Sequence, residues 1–211
     1  VIVDLPASGD DRLLVGPESF DDAGAWALDA DLVLLQTADI IAPVCDDPFV
    51  FGQVAAANAL SDVYAMGGRP VTALNLAFFP GRMPDAMQRD VLRGAAEICA
   101  RAGASVVGGH TVTDKHLKFG LSVSGTCRRS ELLRNSDARP GDALVLTKPI
   151  GTGLILNGNL AGKTPESLLA EALEQMVELN DVGARLAHRF EAHAATDVTG
   201  FGLGGPAAEM A

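Results

Sequence analysis

The sequence predicts an α/β (α+β) protein in which a mixed sheet is packed by helices, arranged as two units. Three observations predict it. Nearly continuous apolar runs at 32–37 and 71–79 and an alternating run at 117–126 have the length and pattern of strands, and two long helical stretches lie between them, at 49–70 and 84–103. Turn chemistry without apolar periodicity (Arg134-Asn135-Ser136, then Arg139-Pro140-Gly141) separates 1–138 from 139–211. A second α/β alternation then opens at 143 and stops one turn into a helix, so the second unit is expected to be incomplete, with its sheet unfinished.

Taken in order, 1–11 reads as irregular, 12–15 as a short strand and 16–19 as a glycine turn leading to Phe20-Asp21-Asp22. Strands follow at 25–28 and 32–37, joined by the polar turn Asp29-Ala30-Asp31, and the second ends in Ala38-Asp39. Asp47 is placed to cap the next helix, with Pro48 at its first position. That helix, 49–70, is dense in alanine and stops at Gly67-Gly68. The helix 84–103 is amphipathic, with Met87, Val91, Leu92, Ala95 and Ile98 on its dry face. A short strand at 104–107 leads into a Gly108-Gly109-His110 turn, and Leu117, Phe119, Leu121 and Val123 share one face of the strand that follows. In the second unit, 143–147 reads as a strand and 168–190 as helix broken near Asn180-Asp181. A strand tail at 194–196 leads to Asp197, and a final helix begins in the glycines around Phe201.

The net charge of −11 excludes a surface built to wrap nucleic acid. It equally disfavours direct side-chain capture of phosphate, but permits capture through a divalent cation held by carboxylates. No apolar run is long enough to span a membrane and no signal peptide opens the chain. The three cysteines, Cys45, Cys99 and Cys127, are scattered and show no CxxC spacing, which points to reduced thiols in the cytoplasm rather than zinc or disulfides.

The residues with chemical potential are acids and glycines. Asn58 and Asp62 lie four apart on an otherwise apolar helix, so they share a face, and a buried Asp62 requires a cation or a hydrogen-bond donor. Asp21 and Asp22 are adjacent carboxylates on a turn, which repel unless a cation or donors lie between them. Asp39 and Asp197 stand at expected strand ends, where α/β folds present ligand groups. Gly108 and Gly109 would let backbone N–H groups approach a phosphate, with His110 as a further donor. Each feature alone also fits a turn or a cap. As a set, they describe a magnesium–nucleotide site.

The runs FDDAGAW, QTADIIAPVCDDPFVFGQVAAANALSDVYAMGGRPVTAL, GGH and ATDVTGFGLGG resemble selenophosphate synthetase (selenide, water dikinase), within the aminoimidazole ribonucleotide synthetase-like superfamily. The resemblance runs from Leu13 onward, and its long central run is the specific part. It implies a two-domain aminoimidazole ribonucleotide synthetase-like fold, with an N-terminal ATP-binding and dimerisation domain at 1–138 and the start of the C-terminal domain at 139–211. The implied activity converts ATP, selenide and water to selenophosphate, AMP and orthophosphate. Asp22, Asp62 and Asp197 match the magnesium ligands. Ser19, Phe20, Asp21, Asp39, Asp62, Gly108, Gly109 and His110 match nucleotide contacts.

The family's Cys or selenocysteine, with a lysine shortly after it, is expected upstream of Val1, so no catalytic nucleophile is assigned within the chain and the fragment alone is expected to lack full turnover. Phe20 stands where the family often carries a basic residue. The implied partners are ATP, selenide and a second copy of the chain. Two alternatives stand beside this reading: another ATP-using activity of the superfamily, of the thiamine monophosphate kinase or aminoimidazole ribonucleotide synthetase type, and a non-catalytic nucleotide-binding dimerisation module.

Overall fold

The computed structural model describes residues 9–200 and 202–211. The irregular start expected over 1–8, and Phe201 of the final glycine turn, lie outside the described residues.

Strands β1 (Leu13–Val15), β2 (Gly24–Ala27), β3 (Leu32–Ile41), β4 (Arg69–Pro80), β5 (Ser105–Asp114) and β6 (Lys118–Arg128) form one sheet in the order β1-β2-β3-β6-β4-β5. Only β4 and β5 pair in parallel, because α2 (Asp85–Arg101) crosses over between them; the other pairs are antiparallel. The sheet is therefore mixed, as expected.

Helix α1 (Pro48–Ala65) begins as the sequence specifies. Asp47 accepts from the amides of Phe49 at 2.8 Å and Val50 at 3.2 Å, and Pro48 occupies the first turn, where a missing N–H costs nothing. Its alanines allow close approach to both the sheet and α2. The two helices meet at glycines: a Cβ on Gly52 would lie 2.0 Å from the Val91 carbonyl oxygen, and one on Gly94 would lie 2.0 Å from that of Phe49. Beneath α1 the core is filled by Val33 and Leu35 of β3 and by Phe119, Leu121 and Val123 of β6, all fully buried. The last three share a face as expected, whereas Leu117 precedes the strand. On α2, Val91, Ala95 and Ile98 face the core but Met87 is exposed, since it lies in the first turn beyond the reach of α1.

Among the described residues, no helix covers the opposite face of the sheet. Leu32, Ile40, Leu74 and Val112 are 39–43% exposed there. Their registers place them on one side, since Ile40 and Leu76 both pair with Gly120 and Leu76 pairs with His110, two residues from Val112.

Residues 139–211 hold α3 (Thr152–Leu160), α4 (Glu166–Met176), α5 (Asp181–Arg189) and α6 (Gly204–Glu209). The break between α4 and α5 falls where Asn180-Asp181 predicts it. The strands expected at 143–147 and 194–196 do not form. Apolar residues alone do not make a strand without a ladder partner, and Leu144 and Val145 are 77% and 80% exposed. Helix α5 packs on the C-terminal half of α1. Asn180 donates to the Ser61 hydroxyl at 2.8 Å, and His188 Nε2 lies 2.8 Å from the Gly67 carbonyl oxygen. Among the described residues no helix is long and apolar enough to cross a membrane.

Candidate active site

Three carboxylates from distant parts of the chain meet. One oxygen each from Asp22 (before β2), Asp62 (on α1) and Asp197 (before α6) lie within 4.8 Å of one another. Helix α1 aims Asp62 at the sheet, where Thr37 of β3 donates to its Oδ2 at 2.5 Å. Thr196 donates to Asp22 at 3.2 Å. Around Asp197, burial raises the carboxyl, and neighbouring Ser61 and Asp62 offset only part of that rise.

Three like charges cannot crowd together without consequence. Burial, with repulsion from Asp197 and Asp21, pushes Asp22 up to about 7. Burial pushes Asp62 up to about 9; Thr37 works against that shift, while Asp197, Asp39 and Asp22 add to it. Asp197 is raised as well, by burial first and then by Asp39. Buried oxygens that nothing satisfies, Asp22 Oδ2 and Asp197 Oδ2, lie on two of the three members. An all-oxygen set with orphaned lone pairs and mutual repulsion fits a hard divalent cation such as Mg²⁺.

The remaining candidates fall into three groups. Asp39 sits inside β3, paired with Leu121, rather than at a strand end, because β3 runs on to Ile41. It accepts from Asn58 at 2.6 Å and adds its charge to the field at Asp62 and Asp197. Next, the turn 19–22 is held in place. Ser19 Oγ closes on the Gly16 carbonyl at 2.9 Å, Asn135 N–H donates to Asp21 at 2.8 Å, and Asn135 Nδ2 donates to the Phe20 carbonyl at 3.0 Å. Phe20 takes a φ of 55°, a left-handed conformation that costs a bulky residue about 1–3 kcal/mol and persists only where neighbours enforce it. A groove of about 300 Å³ runs beside this turn, past Leu13, Asp21, Asp22 and Gln36.

Last, Gly108-Gly109-His110 is not a turn. It lies within β5, at the sheet edge opposite β1. The two glycines follow a register irregularity in which Ala73 pairs with Val106 and Leu74 with Gly108. They have φ of 148° and 155°, and a Cβ on Gly109 would sit 2.3 Å from the Asn75 carbonyl oxygen. Glycine serves a bulge and a close backbone approach here. A single chain thus brings Asp22, Asp62, Asp197 and Asp39 together, with Ser19, Phe20 and Asp21 beside them, but leaves Gly108, Gly109 and His110 on the far edge.

Thr37, Thr196 and Asn135 carry hydrogen bonds that the sequence reading did not single out. Thr37 was findable, since it lies two residues from Asp39 on one face of a strand. Asn135 was not: nothing local says that a boundary turn reaches back to residue 21.

The family model for AIR synthase related protein, N-terminal domain, matches residues 20–127, and the C-terminal domain model of the same family matches 139–211. The chain is 54% identical over 205 residues to a selenide, water dikinase of Geobacter metallireducens, covering 96% of this chain and 60% of that protein. It is 48% identical over 210 residues to selenide, water dikinase 2 of Peptoclostridium acidaminophilum, covering 100% and 60%. The chain spans about three-fifths of the length of these curated relatives. A thiamine-monophosphate kinase structure from Stenotrophomonas maltophilia matches with a TM-score of 0.71 at 26% identity, over 96% of this chain and 68% of that one. A ThiL structure complexed with AMPPCP and TMP matches with a TM-score of 0.78 at 21% identity, over 90% and 63%, a likeness of fold. With matches to both halves of one two-part family covering nearly all of the described residues, the chain belongs to the AIR synthase related protein family.

Proposed function

We propose that this chain is the nucleotide-binding portion of a selenophosphate synthetase: ATP, selenide and water give selenophosphate, AMP and orthophosphate, with Mg²⁺ held by Asp22, Asp62 and Asp197. The observation that carries this reading is the convergence of those carboxylates, drawn from three remote segments, with two orphaned oxygens among them. The names of the half-identical relatives support the choice of substrate.

When bound, magnesium would neutralise polyphosphate charge and orient the phosphoryl group. The chain's own residues do the rest. Thr37 and Thr196 fix carboxylate oxygens of Asp62 and Asp22, and Asn58 fixes Asp39. The groove beside 19–22 receives the nucleotide. Cys99 and Cys127 are buried and their thiols are pushed up to about 11, so neither acts as a nucleophile.

Because the Phe20-Asp21-Asp22 turn and Gly108-Gly109-His110 lie at opposite sheet edges, a second copy docked on the helix-free face would bring the glycines of one chain towards the turn of the other. We therefore read the protein as a homodimer, and its unpaired cysteines fit the cytoplasm.

A second reading, a thiamine-monophosphate kinase type of activity, is favoured by the likeness to the Stenotrophomonas structure. Phosphorus NMR of reactions containing ATP and Mg²⁺ with either selenide or thiamine monophosphate separates the two when run on the chain together with its natural upstream and downstream sequence. Selenophosphate with AMP and orthophosphate supports the dikinase. Formation of ADP with thiamine monophosphate as acceptor, and no selenophosphate, overturns it.

A further inference from the structure

Asn180 occupies the position just before α5, where an asparagine ordinarily caps its own helix, yet it makes no such bond. Its side chain crosses instead to α1, 119 residues away in sequence, and donates to Ser61 Oγ at 2.8 Å. Ser61 is 2% exposed and immediately precedes Asp62. The same hydroxyl faces the Asp197 carboxyl, which meets Asp62, the next residue along α1, and it opposes the rise that burial imposes on Asp197. A serine hydroxyl has one proton and two acceptor sites. With Asn180 filling an acceptor site, that proton is directed at Asp197. Without Asn180, the hydroxyl of a mid-helix serine is free to turn back to the carbonyl one turn earlier.

We propose that Asn180 and Ser61 are positioning residues for the cation site: α5 sets the Ser61 hydroxyl, and Ser61 sets Asp197 against Asp62. The inference rests on the reading of Asp22, Asp62 and Asp197 as a cation site. It assigns α5 a task besides docking on α1, namely that the Asp197 carboxylate is in register only while α5 is seated.

The other α5–α1 contact provides the control. His188 on Gly67 docks the same helix on the same partner but touches none of the aspartates. Mn²⁺ binding to the 211-residue chain, without nucleotide and at one fixed pH, is measured by calorimetry for the wild type, Asn180→Ala, Ser61→Ala, the double variant, His188→Ala and Asp62→Asn, each with a thermal melt. The expected result is about tenfold weaker Mn²⁺ binding in Asn180→Ala and in Ser61→Ala, a typical effect of removing a group that orients a ligand. The double variant should be no weaker than either single one, as for two members of one chain of contacts. His188→Ala should melt lower yet bind Mn²⁺ as the wild type does.

Wild-type affinity in both Asn180→Ala and Ser61→Ala, with Asp62→Asn still abolishing binding, overturns the positioning role and leaves the cation site standing. An equal loss of affinity in His188→Ala also overturns it, since simple docking would then account for everything. No Mn²⁺ binding by the wild type, or undiminished binding by Asp62→Asn, overturns the cation site and the positioning role together.

Discussion

The Thr37 hydroxyl donates to Oδ2 of Asp62 across 2.5 Å, tying β3 to α1 at the point where Asp22 and Asp197 also arrive. This bond opposes the burial and repulsion that drive Asp62 towards its neutral form. Thr37→Val keeps the shape of the side chain and removes the donor. Asp62 should then rise further, and Mg²⁺ binding at pH 8, which needs the carboxylate ionised, should weaken about tenfold, as read by calorimetry. Unchanged affinity would show that the hydroxyl is only a packing neighbour.

The crowding also has a pH signature. In an unfolded chain these carboxyls ionise near about 3.9. In the cation-free fold Asp22 ionises at about 7 and Asp62 at about 9, and Asp197 is raised too. Between those values the folded state holds protons that the unfolded state has released. Stability must therefore fall as pH rises from about 4 through the folded values. Melts in EDTA should show a Tm that declines over that window. Added Mg²⁺ should restore it at pH 8 and do little at pH 5, with protons released on binding. A flat Tm with no response to Mg²⁺ would count against the cluster.

Replacing one carboxylate should separate stability from binding. In Asp62→Asn the amide oxygen still accepts from Thr37, and the fold no longer has to hold a carboxyl protonated well above its ordinary value. We expect the cation-free protein to gain about 1 kcal/mol, a common return when a functional site is relaxed, and Mg²⁺-dependent ATP binding to be lost. Denaturation in EDTA and calorimetry with ATP and Mg²⁺ are the two measurements, and a destabilised variant would mean that Asp62 has an unrecognised stabilising partner.

These expectations rest on features that differ in how openly the sequence displays them. The cap at Asp47, the alanine-rich α1 and the dry face of β6 are local patterns, so they were legible in advance. The acids Asp21, Asp22, Asp39, Asp62 and Asp197 stood out for the same reason, whereas the choice of Asp22, Asp62 and Asp197 among them came from the family resemblance. Gly108-Gly109 was misread as a turn because glycine marks a turn and a bulge alike, and only the pairing of β5 with β4 tells them apart. The run 143–147 has the composition of a strand, but a strand is a relation between segments, and composition says nothing about whether the partner is there. The Asn180–Ser61 bond, like the grip of Asn135 on residues 20 and 21, is a tertiary fact without a local trace.

Helix α2 should tolerate no Cβ at Gly94. The nearest atom to such a Cβ is the Phe49 carbonyl oxygen at 2.0 Å, and backbone cannot swing aside as a side-chain end can. Gly94→Ala must push α2 off α1, at a cost of about 1–3 kcal/mol in urea unfolding, even though alanine is the better helix former. A gain in stability would show that the two helices separate freely.

The helix-free face of the sheet gives the last prediction. Leu74 is 43% exposed there, so a charged residue can reach solvent in a lone chain without disturbing the core beneath. Between two copies, the same charge would be buried without a partner, at a cost of several kcal/mol. Leu74→Lys should therefore keep the melting behaviour of the folded chain while shifting sedimentation from dimer to monomer. Because Asp22 and His110 lie at opposite edges of one sheet, ATP affinity should fall with the dimer if both edges serve one nucleotide. A Leu74→Lys protein that stays dimeric would place the contact elsewhere. One that becomes monomeric yet binds ATP with unchanged affinity would remove Gly108, Gly109 and His110 from the nucleotide site.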